Sequence, residues 1–181
     1  PHLKGPAFAV IWTTTPWTLP ANEAVSAHPD FDYELIDTPR GALILVRELA
    51  AACLQRYALA GTVIGSAKGA ALEHVLLKHP FQPRDVAIIC GTHVTLEAGT
   101  GLVHTAIAFG EDDYRLGQQY DLTMVNPVKL DGTYDERIGE YAGRNVKDAD
   151  RDLVEDLRGR GRLLRAEDYE HAYPHCWRCG T

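Results

Sequence analysis

Two segments of this chain carry side chains able to do chemistry. The first is Trp12-Thr13-Thr14-Thr15-Pro16-Trp17-Thr18-Leu19-Pro20-Ala21-Asn22, four hydroxyls and two indoles on a proline-bounded strand end and turn. Hydroxyls and backbone N–H groups on such a turn can converge on a polar ligand. The same residues also suit plain structure, because β-branched threonine favours strands and a Pro-Trp pair packs well. The second segment runs from Gly99 to Tyr114, with a strand ending at His104 and a helix opening on Glu111, Asp112 and Asp113. A histidine at a strand end is commonly structural, and an acidic first turn commonly matches the helix dipole. Position raises the pair, since an imidazole and a carboxylate flank one loop. A carboxylate there can hold a substrate ammonium group.

Other candidates are weaker. Cys176 and Cys179 form a Cys-x-x-Cys pair, which is half of a four-coordinate zinc site. Cys53 and Cys90 fall in apolar surroundings and read as small buried hydrophobes. A metal-dependent hydrolase would draw on His93, His104, Asp112 and Asp113. A cysteine hydrolase on Cys90 and His93 lacks any feature that would lower the thiol pKa. No covalent nucleophile stands out, because threonine hydroxyls are weak at their free pKa without a base beside them. Arg158, Arg160, Arg162 and Arg165 suit either a solvated helix end or a phosphate contact.

The elements that must position these groups follow from punctuation and periodicity. Ala7 to Trp12 reads as a buried strand stopped by Pro16, with further strands at Val25 to Ala27, Tyr33 to Ile36 and Ala42 to Val46. Val86 to Cys90 and Gly101 to Thr105 read as inner strands. Helices are expected over Glu48 to Leu59, Glu111 to Tyr120 and Asp148 to Arg158, the last with Asp148 as N-cap. The expected class is α+β, a curled mixed, barrel-like sheet with about three peripheral helices. At 181 residues the chain is expected to be one domain, 1–181, with a core of its own. No apolar run approaches the roughly 20 residues of a membrane span, and no signal-peptide pattern opens the chain. The missing initiating Met and the end directly after Cys179-Gly180-Thr181 are expected of a piece of a larger protein. A formal charge of −7 argues against broad nonspecific nucleic-acid binding, which rests on neutralising phosphates. With no secretion signal, free cysteines point to a reducing cytoplasm.

Both segments resemble the first connective-polypeptide editing domain of the class I synthetases for isoleucine, valine and leucine. Thr13 to Asn22 looks like the isoleucine version, whereas the valine and leucine enzymes are expected to carry Thr-Thr-Arg-Pro there. Gly-Thr-Gly-x-Val-His-Thr-Ala, Gly99 to Ala106, is similarly isoleucine-type. Tyr173-Pro174-His175-Cys176-Trp177-Arg178-Cys179 matches the return to the synthetase body, expected over 174–181.

The resemblance implies hydrolysis of the ester joining valine to isoleucine tRNA, with valyl-adenylate as a possible second substrate. Isoleucine and valine are the standing example of why this is needed. One methylene in an apolar pocket gives about 1–3 kcal/mol, a general figure not read from this chain. Asp113 aligns with the residue that holds the α-ammonium, and His104 with the one beside the side chain that excludes isoleucine. Thr13, Thr14 and Thr15 align with the stretch around carbonyl, ribose and attacking water. Trp17, Thr18 and Tyr173 align with substrate-binding positions. The implied partners are the valine-bearing 3′ end of isoleucine tRNA and the rest of the synthetase, with no membrane and a monomeric isolated domain. No cofactor is implied in this domain; in the full-length parent a second cysteine pair would complete zinc at Cys176 and Cys179. One departure stands out: Ile107 replaces the usual proline after His-Thr-Ala, which frees the loop beside the pocket. Phe109 stands where many relatives have His. A degenerate domain that binds the tRNA end without hydrolysis is the alternative this raises.

Overall fold

The computed structural model describes residues 5–170 and residue 178. Its core is two four-stranded mixed sheets. The first holds β1 (Ala7–Ala9), β3 (Asp32–Thr38), β4 (Gly41–Val46) and β5 (Thr62–Lys68), in the order β1-β4-β3-β5. The second holds β2 (Ala24–Ala27), β6 (Leu76–Lys78), β7 (Asp85–Cys90) and β8 (Leu102–Thr105), in the order β6-β7-β2-β8. β2 runs parallel to β7 and antiparallel to β8, with Val25 opposite His104. All four of its small residues are buried, so both of its faces are covered.

The sheets share a core of Val25, Ala27, Tyr33, Val46, Ile88 and Leu102. Tyr33 stitches it: its hydroxyl donates to Gly101 O at 2.6 Å and accepts from His28 N at 2.9 Å. Val46 N donates to Thr100 O at 3.0 Å, so β4 runs against the Gly99-Thr100-Gly101 turn. That approach needs glycine, because a Cβ on Gly101 would lie 2.3 Å from Val46 Cβ.

Three α-helices cover this core among the described residues: α1 (Arg47–Arg56), α2 (Glu111–Gln119) and α3 (Val146–Gly159). α1 buries Ala50 and Cys53 against Val10, Ile36, Leu43 and Leu45. α2 packs Leu116 on Ala24 and Ile89. α3 packs Val146, Ala149 and Leu153 on Tyr134, Ile138 and Tyr141, a separate cluster that also takes in Trp17.

The expected α+β class and three helices stand. The barrel-like core is two sheets, and no barrel closes among the described residues. Of the strand expected over Ala7 to Trp12, only the first half pairs with β4; the chain then leaves the ladder to form the site. α3 starts earlier than expected: Asn145 is its N-cap, accepting from Lys147 N at 3.0 Å, not Asp148. The earlier start brings in buried Val146, which with buried Ala149 extends the stripe ahead of Leu153. β5 and β6 went unforeseen, β5 being largely exposed and β6 only three residues long.

Candidate active site

A cavity of about 370 Å³ opens where β8, the start of α2 and the chain after β1 meet. Thr13, Thr14, Thr15, His104 and Asp113 line it together, with Trp12, His93 and the Gly99–Val103 stretch. The threonine corner is shaped by its own hydroxyls. Thr13 Oγ1 accepts from Thr15 N at 3.0 Å and sits 3.3 Å from Thr15 Oγ1. Pro16 then opens a 3-10 helix, Pro16–Ala21, whose Thr18 N donates to Thr15 O at 3.0 Å. Proline suits that first position, where no N–H partner is needed. The helix is gripped from behind: Tyr134 Oη donates to Trp17 O at 2.5 Å, and the Asp150 carboxylate lies close to Trp17 N.

Asp113 is the third residue of α2, where its carboxylate suits the helix dipole. Its Oδ2 accepts from Ala106 N at 3.2 Å, closing the loop between β8 and α2. Burial pushes its pKa up, opposed by that N–H and by His93 nearby. No lysine or arginine is among the lining residues, and Asp113 is the one carboxylate there. A ligand ammonium would favour the charged form of Asp113. His104 Nε2 lies 2.9 Å from Thr18 Oγ1, and burial lowers its pKa to about 4, so the ring is neutral at neutral pH. The site therefore offers one carboxylate, the neutral His104 ring, the His93 ring and a run of hydroxyls. That set can bind an ammonium, orient water and donate to a developing oxyanion.

No family model matches the chain. It is 63% identical over 185 residues to the isoleucine–tRNA ligase of Dechloromonas aromatica, covering 99% of this chain and 20% of that protein. It is 59% identical over 174 residues to the isoleucine–tRNA ligase of Nitrosomonas europaea, covering 96% of this chain and 18% of that protein. Over almost its whole length the chain matches a segment of isoleucine–tRNA ligases. It spans about a fifth of the length of these relatives. Among solved structures it shares the fold of GlLeuRS-CP1, with TM-score 0.72, 15% identity and coverage of 91% of this chain and 85% of that one. The Plasmodium falciparum cytosolic leucyl-tRNA synthetase editing domain matches at TM-score 0.64 and 10% identity, over 86% of this chain and 77% of that one. The ligase segment thus has the editing-domain fold.

Within this ligase segment the site residues proposed from sequence fall into three groups. Thr13, Thr14, Thr15, His104 and Asp113 share the cavity. Thr18 and Trp17 stand behind it. Thr18 is buried at 4% exposure, with its hydroxyl on His104. Trp17 packs edge-on against Phe109 with ring centroids 5.1 Å apart. Tyr173, Cys176 and Cys179 lie outside the described residues. His93 and Trp12 line the cavity without having been assigned to the editing site. Trp12 adjoined the threonine run, but His93, 11 positions before His104, carried no signal of its own.

Three further expectations meet the structure here. Ile107 does not leave the loop free: it is 4% exposed, and a Cβ on Gly117 of α2 would lie 2.8 Å from its Cγ1. Burial against a bare helix turn anchors the loop at this position. The arginine run is committed internally, with Arg158 on Glu155, Arg160 on Asp156 and Glu140, Arg165 on Glu167, and Arg162 over the Phe8 ring. The metal-hydrolase reading lacks its donor set: among the described residues no three His, Cys, Asp or Glu side chains are grouped to hold a metal ion.

Proposed function

We propose that this chain is a hydrolytic editing domain that removes valine wrongly esterified to isoleucine tRNA, working in the cytoplasm as part of an isoleucine–tRNA ligase. The observation that carries the reading is the meeting of Asp113 and the Thr13–Thr15 corner in one cavity, on an editing-domain fold, in a chain that matches a segment of those ligases. Asp113 holds the α-ammonium of the valyl ester. The threonine corner places a water at the ester carbonyl and donates hydrogen bonds to the oxyanion as it forms. His104, a neutral ring on the cavity wall, limits the room for a side chain larger than valine. Trp17, together with Tyr173 beyond the described residues, belongs to the neighbourhood of the terminal adenosine. At about 370 Å³ the cavity fits an aminoacyl group rather than the tRNA end as a whole.

The reaction is metal-free in this domain, and the isolated chain is a monomer. Cys176 and Cys179 would supply two of four zinc ligands in the full-length parent. The chain's net charge of −7 leaves the remainder of the synthetase to supply most of the grip on tRNA.

Deacylation of valyl-tRNA(Ile) by the wild-type chain and by Asp113→Asn tests this. Asparagine keeps an oxygen for Ala106 N but loses the charge, so activity should fall about 10- to 100-fold, the scale of one charge-assisted contact. Wild-type activity in the variant would overturn the role of Asp113. Binding of the acylated 3′ end with no release of valine by the wild-type chain would overturn hydrolysis itself.

A further inference from the structure

A cavity of about 370 Å³ takes the aminoacyl part of an ester, so the nucleoside that carries it lies at the rim. No lysine or arginine among the described residues lines this cavity, so a phosphate finds no cationic partner there. An aromatic ring is present instead. Trp12 lines the cavity directly before the threonine corner and is only part-buried. Tyr169 meets it edge-on, with ring centroids 5.2 Å apart and planes at 83°. Trp17, by contrast, is turned toward Phe109 and the α3 cluster. Tyr169 reaches Trp12 because the chain after α3 is tied down across α1. Leu164 packs into the α1 cluster, Arg165 Nη1 donates to Arg56 O at 3.2 Å, and Glu167 pairs with Arg165 at 2.6 Å and with Arg56 at 3.6 Å.

We infer that Trp12 is the platform on which the base of the ester-bearing nucleoside stacks, with Tyr169 as the positioning residue that holds the indole in plane. This rests on the reading of the cavity as an aminoacyl-ester site, and adds which group outside the cavity is recognised. An edge-on neighbour fixes the plane of a ring without stacking on it. Stacking suits a single-stranded end, whose bases present their π-faces, and it tolerates any base. The platform therefore demands a base rather than a particular one. With no cation on the lining, the grip at this rim falls on the base and not on the backbone.

Titration calorimetry of the full 181-residue chain tests this with two non-hydrolysable amides, 3′-valylamino-3′-deoxyadenosine and its counterpart with hydrogen in place of the base. Wild type should bind the adenine amide more tightly by roughly 5- to 150-fold, the scale of one base–aromatic stack. Trp12→Leu should remove most of that preference by weakening the adenine amide alone, and Trp12→Phe, which keeps a ring, should retain part of it. Tyr169→Ala should reduce the preference and Tyr169→Phe restore it. In wild type the Trp12 indole NMR signals should move upfield with the adenine amide and not with the baseless one. Equal affinity for the two amides in wild type, no binding of either, unmoved Trp12 signals, or equal weakening of both amides by Trp12→Leu overturns the platform. An unchanged preference in Tyr169→Ala overturns the positioning role. Release of valine from valyl-tRNA(Ile) is measured separately. If wild type releases none yet prefers the adenine amide through Trp12, the hydrolytic reading falls and the platform stands.

Discussion

Gly101 and Gly99 make a matched pair for measuring what the turn before β8 requires. Both adopt positive φ, +77° and +84°. Alanine at either position meets the left-handed penalty of about 1–2 kcal/mol. At either, it also restricts the unfolded chain by a similar amount, so that contribution cancels between the two variants. The surroundings differ. A Cβ on Gly99 finds only Trp12 at 3.7 Å, an ordinary contact. A Cβ on Gly101 lies 2.3 Å from Val46 Cβ and 2.5 Å from its Cγ1, and those atoms belong to a fully buried residue between the sheets. Overpacking of this kind adds about 1–3 kcal/mol. Gly101→Ala should therefore be less stable than Gly99→Ala by about 1–3 kcal/mol, or a melting temperature lower by several degrees in a domain of this size. Urea titrations of the two variants and wild type give the difference without reference to activity. Equal losses in the two variants would refute the argument, for they would leave backbone conformation as the whole requirement and the β4 approach as unimportant.

Two other outcomes follow from the site. His79 and His104 both have pKa values lowered to about 4, His104 by burial and His79 by burial and then by Arg84. The unfolded chain takes up their protons near pH 6.5 and the folded chain only near 4, so their stabilisation is complete above about pH 6.5. It should decline as pH falls to about 4 by up to about 3 kcal/mol for each, read as a falling urea midpoint; a midpoint that rises over that window would contradict it. Asp113 and Asp150, raised by burial, act in the opposite sense and would blunt the acid end of the curve. For the sieve, His104→Ala should let the chain deacylate isoleucyl-tRNA(Ile), and continued survival of that ester would remove His104 from substrate exclusion.

What the sequence made legible was the chemistry of short segments. The threonine run, His104 and the acidic turn ending in Asp113 could be picked out because each lies in a contiguous motif. The α1 stripe was equally plain, since Leu49, Cys53, Leu54 and Tyr57 share one helical face and pack against the first sheet. What remained hidden was set by distant pairing. The bond between Thr18 and His104 joins residues 86 apart in the chain. It exists because β2 and β8 pair antiparallel with Val25 opposite His104. The sequence offered Thr18 as a substrate-binding residue but gave no sign that its hydroxyl meets His104. Ile107 misled in the same way: the loss of proline was visible, but the Gly117 surface that receives the isoleucine was not. β5 gave no signal because its side chains are mostly exposed, and an alternation of buried and exposed positions is what marks a strand.

The lobe around α3 shows how a short turn can hold a reacting geometry. A six-residue 3-10 helix has poor hydrogen-bond geometry and little stability of its own. Here the Trp17 carbonyl is held from outside by Tyr134 Oη across 117 residues, and the Asp150 carboxylate of α3 lies close to the Trp17 N–H. The indole closes against Phe109 in front and the Tyr134–Leu153 cluster behind. Asp150 is a costly choice for this, since one of its oxygens is buried without a partner and burial raises its pKa. An apolar residue would pack there without that cost, but it would offer no negative charge to the N–H beside it. The lobe thus gives up some stability to fix the helix that begins at Pro16, directly after the threonine corner. Because Thr18 belongs to that same helix and carries the His104 contact, one clamp sets both the hydroxyls and the imidazole of the cavity.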